Sequence, residues 1–502
     1  MTRINTNTSS LTAQIRLNRT NNDLQTSLTR LSTGLRINTG KDDPAGLIAS
    51  EALRSDITSI TKALSNTNRA AQIIATADSA LGQVSSLLND VRGLITEAAN
   101  KGAMSDDEIA ANQLQIDSSL EAINRIAQTT TFQGRKLLDG SLDFQVTQGT
   151  SFAKVKNLEI NSANLGATGS ITAEINVTAA ATKATKDIDF HSRAAPVSPA
   201  TTPPALAEGI LGADVVFQLS GANGTEVFKF KAGSTAASVA DAINLLKDST
   251  GIEATLVDDS GTDDTTLTLT SVEYGSDQFV GIEIISEGEF GLFTSAVGTD
   301  TRVAGTDVVA TVNGTSAMGK GNTLSINNST ISMKVDVEAG YVTAPAATPA
   351  SPAITFTING GGAQFQLGPD VVSNQQARLG IGSLNTAKLG GINGRLYQIA
   401  SDGDASLAKD VTKAAAIVDE VIGKVATTRG RLGAFQRTAL ESNSVSLNDT
   451  LTNLTEAQSS IRDADFAKES AALTRAQILV QSGTSVLGIA NQSAQSVLSL
   501  LR

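Results

Sequence analysis

The chain has 502 residues with neither cysteine nor tryptophan, and its 50 acids against 38 bases leave a formal charge of −12. Disulfides and thiolate metal sites are excluded, and an acidic chain with 3% aromatic residues lacks the basic stripe and stacking platform that nucleic acid requires. The charge is unevenly placed: residues 141–399 hold 25 acids and 14 bases, net −11, leaving 25 acids and 24 bases, net −1, for the two ends.

The length admits roughly two to four domains, each with its own core. The opening "MTRINTNTSSLTAQIRLNRT" has no continuous apolar stretch ahead of a small-residue cleavage site, so no cleaved secretory signal is expected. Leu17, Leu24, Leu28, Leu31 and Leu35 then follow at spacings of seven, four, three and four, a heptad helix. It stops in "TGLRINTGKDDPAG", a connecting loop that contains Arg36, Lys41, Asp42, Asp43 and Pro44. Gly34 and Gly40 break the helix, and Asp43 before Pro44 reads as an N-cap followed by proline at the first helical position.

From Ile57 to Ile95 the series Ile60, Leu64, Thr67, Ala71, Ile74, Ala77, Leu81, Val84, Leu88, Val91 and Ile95 keeps three-four spacing, with one skip near Asp78. That predicts a helix about 58 Å long, well beyond the ordinary globular length. "MSDDEIAANQ" supplies a capping box, Ser105 with Glu108, ahead of an amphipathic helix on Ile109, Ile116, Leu120, Ile123 and Ala127.

The middle is strand-like. "VVFQLSGANGTEVFKFKAG" and "IEATLVDDSGTDDTTLTLTS" each read as a hairpin, with the short amphipathic helix "SVADAINLLKDS" between them, and "DVVATVNGT" and "TISMKVDVEAG" continue the pattern. Seven of the nine prolines lie at residues 195–204 and 344–352, read as struts that bracket an inserted module.

Helical periodicity returns with Val411, Ala415, Val418, Ile422, Val425 and Leu432, then Leu447, Leu451, Leu454 and Ile461. The last segment, "AQILVQSGTSVLGIANQSAQSVLSLL" from Ala476 to Leu501, has no charged residue. Its glutamines, asparagine, serines and threonine are too polar for a lipid span, so no membrane insertion is expected. Leu473, Ala476, Val480, Gly483, Leu487, Ala490, Ala494, Val497 and Leu501 form a narrow heptad seam of small residues, which needs surrounding helices to be stable.

The fold class expected is multi-domain α + β: both chain ends form an α-helical coiled-coil rod, with a β-rich outer domain inserted between them. The expected divisions are an inner-core domain of 1–45 with 460–502, a long-helix domain of 46–195 with 353–459, and an outer domain of 205–345. Catalytic chemistry finds little support. His191 is the only histidine; the pairs Asp258/Asp259 and Asp263/Asp264 lack the spacing of a calcium loop; and Gly360–Gly362 lacks the lysine and following helix of a phosphate loop. No catalytic residue, cofactor or metal is expected.

Four motifs are shared with one family. "INTN" at Ile4–Asn7, "RLSTGLRINTGKDDPAG" at Arg30–Gly46, "FQGRKLLDG" at Phe132–Gly140, and the final "AQILVQSGTSVLGIANQ…VLSLLR" give a chain that resembles a bacterial flagellin over about residues 1–150 and 400–502. The segment "VVFQL…ASVADAINLL…GIEATL" is similar to a ββαββ module inserted in many flagellins. The resemblance implies a structural, non-enzymatic subunit that polymerises with its own copies into the swimming filament of the extracellular bacterial flagellum. It further implies unprocessed type III export, a chaperone on the carboxyl helix, and contacts with filament cap and hook-junction proteins. Inter-subunit and core packing then falls to Leu17, Leu24, Leu28, Leu31, Leu35, Leu473, Val480, Leu487, Ala490, Val497 and Leu501. Where many receptor-recognised flagellins read Arg-Val-Arg-Glu-Leu, this chain reads Asp90-Val91-Arg92-Gly93-Leu94, a degenerate site that implies weak or no activation of the Toll-like innate receptor. The alternatives are a hook-filament junction protein, a filament subunit displaying an adhesive outer domain, or a free scaffold protein.

Overall fold

The computed structural model describes residues 6–166, 168–190, 209–258, 265–288, 291–343 and 351–499, without the side chains of 190, 258 and 493–499. His191, the proline-rich runs up to 208 and at 344–350, and Asp259, Asp263 and Asp264 lie outside the described residues. Helix α1 spans Thr8–Thr33, starting where the Asn7 side chain accepts the Ser10 amide at 2.9 Å and ending where Gly34 adopts φ 72°. Helix α2 runs Pro44–Ala98, 55 residues and so about 82 Å. It is longer than its apolar run predicts, because the Asp43 cap starts it well before Ile57. Helix α3, Asp106–Thr129, carries the expected Ser105/Glu108 capping box.

The buried face of α2 corrects the sequence reading. Ile60, Ala63, Thr67, Ala70, Ile74, Ala77, Leu81, Val84, Leu88, Val91, Ile95 and Ala98 are buried in unbroken alternation of three and four. There is no skip at Asp78; the small Ala63 holds the seam where the larger Leu64 was expected, and Ala70 holds it in place of Ala71, since close helix packing selects by position as well as hydrophobicity.

The chain divides into two compact units. One takes residues 76–364 and 377–430 and holds two apolar cores. In the first core, an antiparallel sheet in the order Thr315–Ser316, Val309–Val312, Ile171–Ala179, Ile354–Gly361, Phe144–Gln148 packs with a sheet in the order Met318–Lys320, Thr323–Asn327, Ile331–Val337, Val155–Ala163. The second core lies under a four-stranded sheet, Arg302–Ala304, Phe279–Glu287, Val215–Ser220, Thr225–Phe230, and a three-stranded one, Thr185–Phe190, Thr265–Ser271, Ile252–Asp258. Helix α4 (Ala236–Leu245), the single turn α5 (Lys247–Thr250) and α6 (Phe293–Val297) complete it. Phe217 is its centre, stacked on Phe228 at 5.5 Å and on Phe293 at 5.0 Å. The hairpins fall where the alternation places them. The cores divide the middle differently from a 205–345 module, because Val308–Val337 share a core with Phe144–Val177 and Ile354–Ile358.

Gly360, Gly361 and Gly362 all have positive φ; a Cβ on Gly361 would strike the Asp143 carbonyl and one on Gly362 the Phe144 ring, so this glycine run is a tight turn. Helix α7, Val411–Phe435, buries Ala414, Ile417, Val418, Val421 and Val425. Val411, Ala415 and Ile422, expected on its seam, are half-buried beside it. The other unit takes residues up to 75, 365–376 and from 431 onward. It contains α8, Ser442–Arg462, and α9, Phe466–Ser499.

Candidate assembly surfaces

Residues from opposite ends of the sequence meet along α1 and α9. The Asn7 amide donates to the Ala490 carbonyl at 2.9 Å, Ser10 Oγ to Asn491 Oδ1 at 2.7 Å, and Arg30 Nη1 reaches Glu469 Oε1 at 3.4 Å. Between these, a Cβ on Gly483 would lie 3.1 Å from Leu17 Cδ1. Each pair sums to nearly 500, so the helices run antiparallel and in register, and Leu24 comes level with Ala476. A leucine opposite glycine or alanine is what allows two backbones with so few large residues to approach.

The expected seam on α9 is the one found. Among described side chains, Leu473, Ala476, Val480, Gly483, Leu487 and Ala490 are buried or half-buried, whereas Ile478, Leu479, Val486 and Ile489 are exposed by 51–67%. The side chain of Val497 and the whole of Leu501 lie outside the described residues. On α1, Leu17, Leu24 and Leu31 face inward, but two assignments need correction. Leu28 is 47% exposed, and the buried Ser27 holds its place, because the inward stripe runs Ala13, Leu17, Thr20, Leu24, Ser27 and Leu31 and leaves position 28 on the flank. Leu35 lies past the helix end, bridged to Asp463 in short antiparallel pairing. Leu11 and Ile15, which the sequence reading passed over, are about 60% exposed.

The connecting loop is tightly specified. Arg36 N donates to Arg462 O at 2.7 Å, its guanidinium to Ile461 O at 2.6 Å, and Ala464 N to Gly34 O at 2.9 Å. Asp42 accepts the Thr39 amide at 2.8 Å and the Asn38 amide at 3.1 Å, and these bonds lower its pKa. Asp43 Oδ1 caps α2 by accepting the Gly46 amide at 2.9 Å, while Pro44 occupies the first turn, where no donor is required. A Cβ on Gly46 would come within 2.6 Å of both Asp43 and the buried Ile37, so the glycine of this motif makes room for the cap. Lys41 is exposed. Arg462 pairs with Glu51 at 3.1 Å, and Asp465 caps α9 through the Ala467 and Lys468 amides. The Arg30–Glu469 and Arg462–Glu51 pairs had no local signal, since each joins residues more than 400 positions apart.

In the other unit, the segment Asp90–Leu94 presents little. Val91 is fully buried and Leu94 half-buried, leaving Asp90, Arg92 and Gly93 in solvent. Arg92 Nε is tied to Asp419 Oδ1 at 2.9 Å, and nothing surrounds the position a Gly93 side chain would take. Among the described residues no group of three His, Cys, Asp or Glu is placed to hold a metal ion, and no helix is long and apolar enough to cross a membrane.

The comparisons with known proteins agree with this layout. Residues 4–143 match the bacterial flagellin N-terminal helical region, 415–501 the bacterial flagellin C-terminal helical region, and 216–273 the flagellin hook IN motif. The chain is 31% identical to the B-type flagellin of Pseudomonas aeruginosa and 30% identical to a flagellin of Salmonella choleraesuis, each across 99% of both chains. Among solved structures, FliC from Burkholderia pseudomallei is 14% identical, covering 73% of this chain and 99% of its own, at a TM-score of 0.24, too low to carry weight. With identity of this level sustained from end to end and both helical ends matched, the chain belongs to the bacterial flagellins.

Proposed function

We propose that this flagellar filament subunit assembles by enclosing the α1–α9 pair among neighbouring copies. The observation that carries it is the inverted exposure of that pair: Leu11, Ile15, Leu28, Ile478, Leu479, Val486 and Ile489 face water while the shared seam is mostly alanine, glycine and half-buried leucine. Burying such side chains is worth about 1.5–3 kcal/mol each when complete, so the gross gain on assembly is on the order of 10 kcal/mol per subunit before ordering costs. Repeated head-to-tail contacts that do not close into a ring produce a filament. In this reading residues 1–45 and 460–502 form the inner core and the long helices the next shell. The acidic middle faces the medium.

The subunit acts as a structural element without catalysis, and it is secreted unprocessed. A charge-free, small-residue helix would associate prematurely before export, which gives a chaperone on α9 a physical purpose. Contacts with cap and hook-junction proteins use the same helical ends. Innate-receptor activation is weak, because Gly93 stands where the receptor-recognised pattern has glutamate, and Arg92 is engaged by Asp419. A receptor assay giving activation equal to an enteric flagellin would refute that part. Seeded elongation tests the whole: purified full-length chain should extend filament seeds, and failure to do so in any salt or pH that keeps it monomeric would sink the reading.

A further inference from the structure

Between α7 and α8, residues Gln436–Glu441 form a π turn, and the apolar spacing around it is one residue out of step. Leu440 and Leu447 are buried and seven apart, with Leu454 seven further on, whereas the buried Leu432 precedes Leu440 by eight. In a continuous α-helix an extra residue turns everything after it by about 100°. The wider turn absorbs that residue and keeps Leu432 and Leu440 buried together.

A π turn has poorer local geometry than an α turn and persists where its surroundings hold it. The holding groups are identifiable. Before the turn, the Phe365 ring lies 6.0 Å from the Phe435 ring; after it, Asn443 Nδ2 donates to Leu367 O at 2.8 Å and reaches Thr67 Oγ1 at 3.4 Å. Thr67 is buried in the seam of α2. The arm supplying Phe365 and Leu367 is itself braced, with Gln366 Nε2 donating to Asp370 O at 2.6 Å and Asp370 N to Gln375 Oε1 at 2.6 Å.

We propose that this turn is a register switch, with the arm 365–376 selecting the π form. In the alternative α form, Leu440 and Leu447 leave their buried positions and Asn443 loses both partners, so the two forms are discrete, as packed bistable elements are. Each conversion turns the following helix by about 100° and advances it by about 1.5 Å. Repeated in every subunit, such a step changes filament curvature. The switch itself is local and independent of the assembly reading; only its effect on curvature rests on it.

Removal of Thr438 tests the switch, since its exposed side chain bonds only the Ala434 carbonyl of its own helix and its loss restores a spacing of seven. The full-length variant should show uniform α-type amide protection through this stretch while Leu440 and Leu447 keep their buried register, so its seeded filaments should be locked in the parental curvature. Asn443→Ala keeps the chain length and should speed amide exchange at residues 436–443 at least tenfold, shifting curvature away from that of both the parent and the deletion. Parental exchange in Asn443→Ala overturns the switch even where the deletion fails to fold. Altered exchange in Asn443→Ala with parental curvature overturns its effect on the filament. Loss of elongation in the parent itself counts against the assembly reading instead.

Discussion

The core around Phe217 and the α1–α9 pair obey the same hydrophobic effect with opposite outcomes. Around Phe217, two sheets and α4 enclose Val215, Leu219, Val239, Ile243, Leu267, Leu269 and Val280 at 0–1% exposure, so the segment is closed within one chain. Along α1 and α9 only Ser27 and Ala476 are buried among the described side chains, and the larger apolar groups point outward. The lesson is that a chain can divide its cores: one is complete in the monomer, and the other, in the proposed assembly, is left for copies to complete.

Removing residues 460–502 should separate the two most sharply. Elongation of seeds should fall to zero, while the unfolding transition of the module around Phe217, followed by its amide exchange, should be unchanged. A truncated chain that still elongates seeds would erase the distinction between the two regions.

The reverse experiment is Phe217→Ala. Truncating a fully buried phenylalanine costs about 3–5 kcal/mol, so the module should melt at markedly lower denaturant. Elongation should persist, because the helical ends do not draw on that core. Loss of elongation together with the module would mean that assembly reads the middle of the chain as well.

An intermediate effect is expected at the loop that joins α1 to α2. Gly46→Ala forces a methyl group against Asp43 and Ile37, an overpacking that costs about 1–3 kcal/mol. Chemical denaturation of the monomer should detect it in α2 and leave the Phe217 module unmoved. A neutral outcome would show that the cap shifts without loss.

What was legible follows from the range of each signal. The α9 seam could be read because it is periodic and local. Leu28 was misplaced because positions 27 and 28 both fit a heptad through Leu17, Leu24 and Leu31, and a serine gives no apolar signal to set against a leucine. The same precedence of phase over size put Ala63 rather than Leu64 into the seam of α2, and phase alone chose Ala70 over Ala71. The eight-residue gap from Leu432 to Leu440 was visible in the sequence and marks the π turn. By contrast, the pairing of Ile331–Val337 with Val155–Ala163 spans some 170 residues, and no local pattern specifies which distant strand completes a sheet.

The smallest expected effect lies at Asp42, on the border between the connecting loop and α2. Its carboxylate accepts the Thr39 and Asn38 amides and the Thr39 hydroxyl, and the backbone bonds are the main cause of its lowered pKa. A carboxyl whose folded pKa is depressed contributes stability that is fully present above the unfolded value and is lost as pH falls through the folded value. The loop should therefore hold through the ordinary aspartate range and open only in stronger acid, with a modest amplitude because the side chain is exposed and screened. Amide chemical shifts of Asn38 and Thr39 followed against pH should report this opening, and Asp42→Asn should remove the step. Should the step survive that substitution, the bonds of Arg36 to Arg462 and Ile461 hold the loop instead, and the acid opening belongs to another carboxylate.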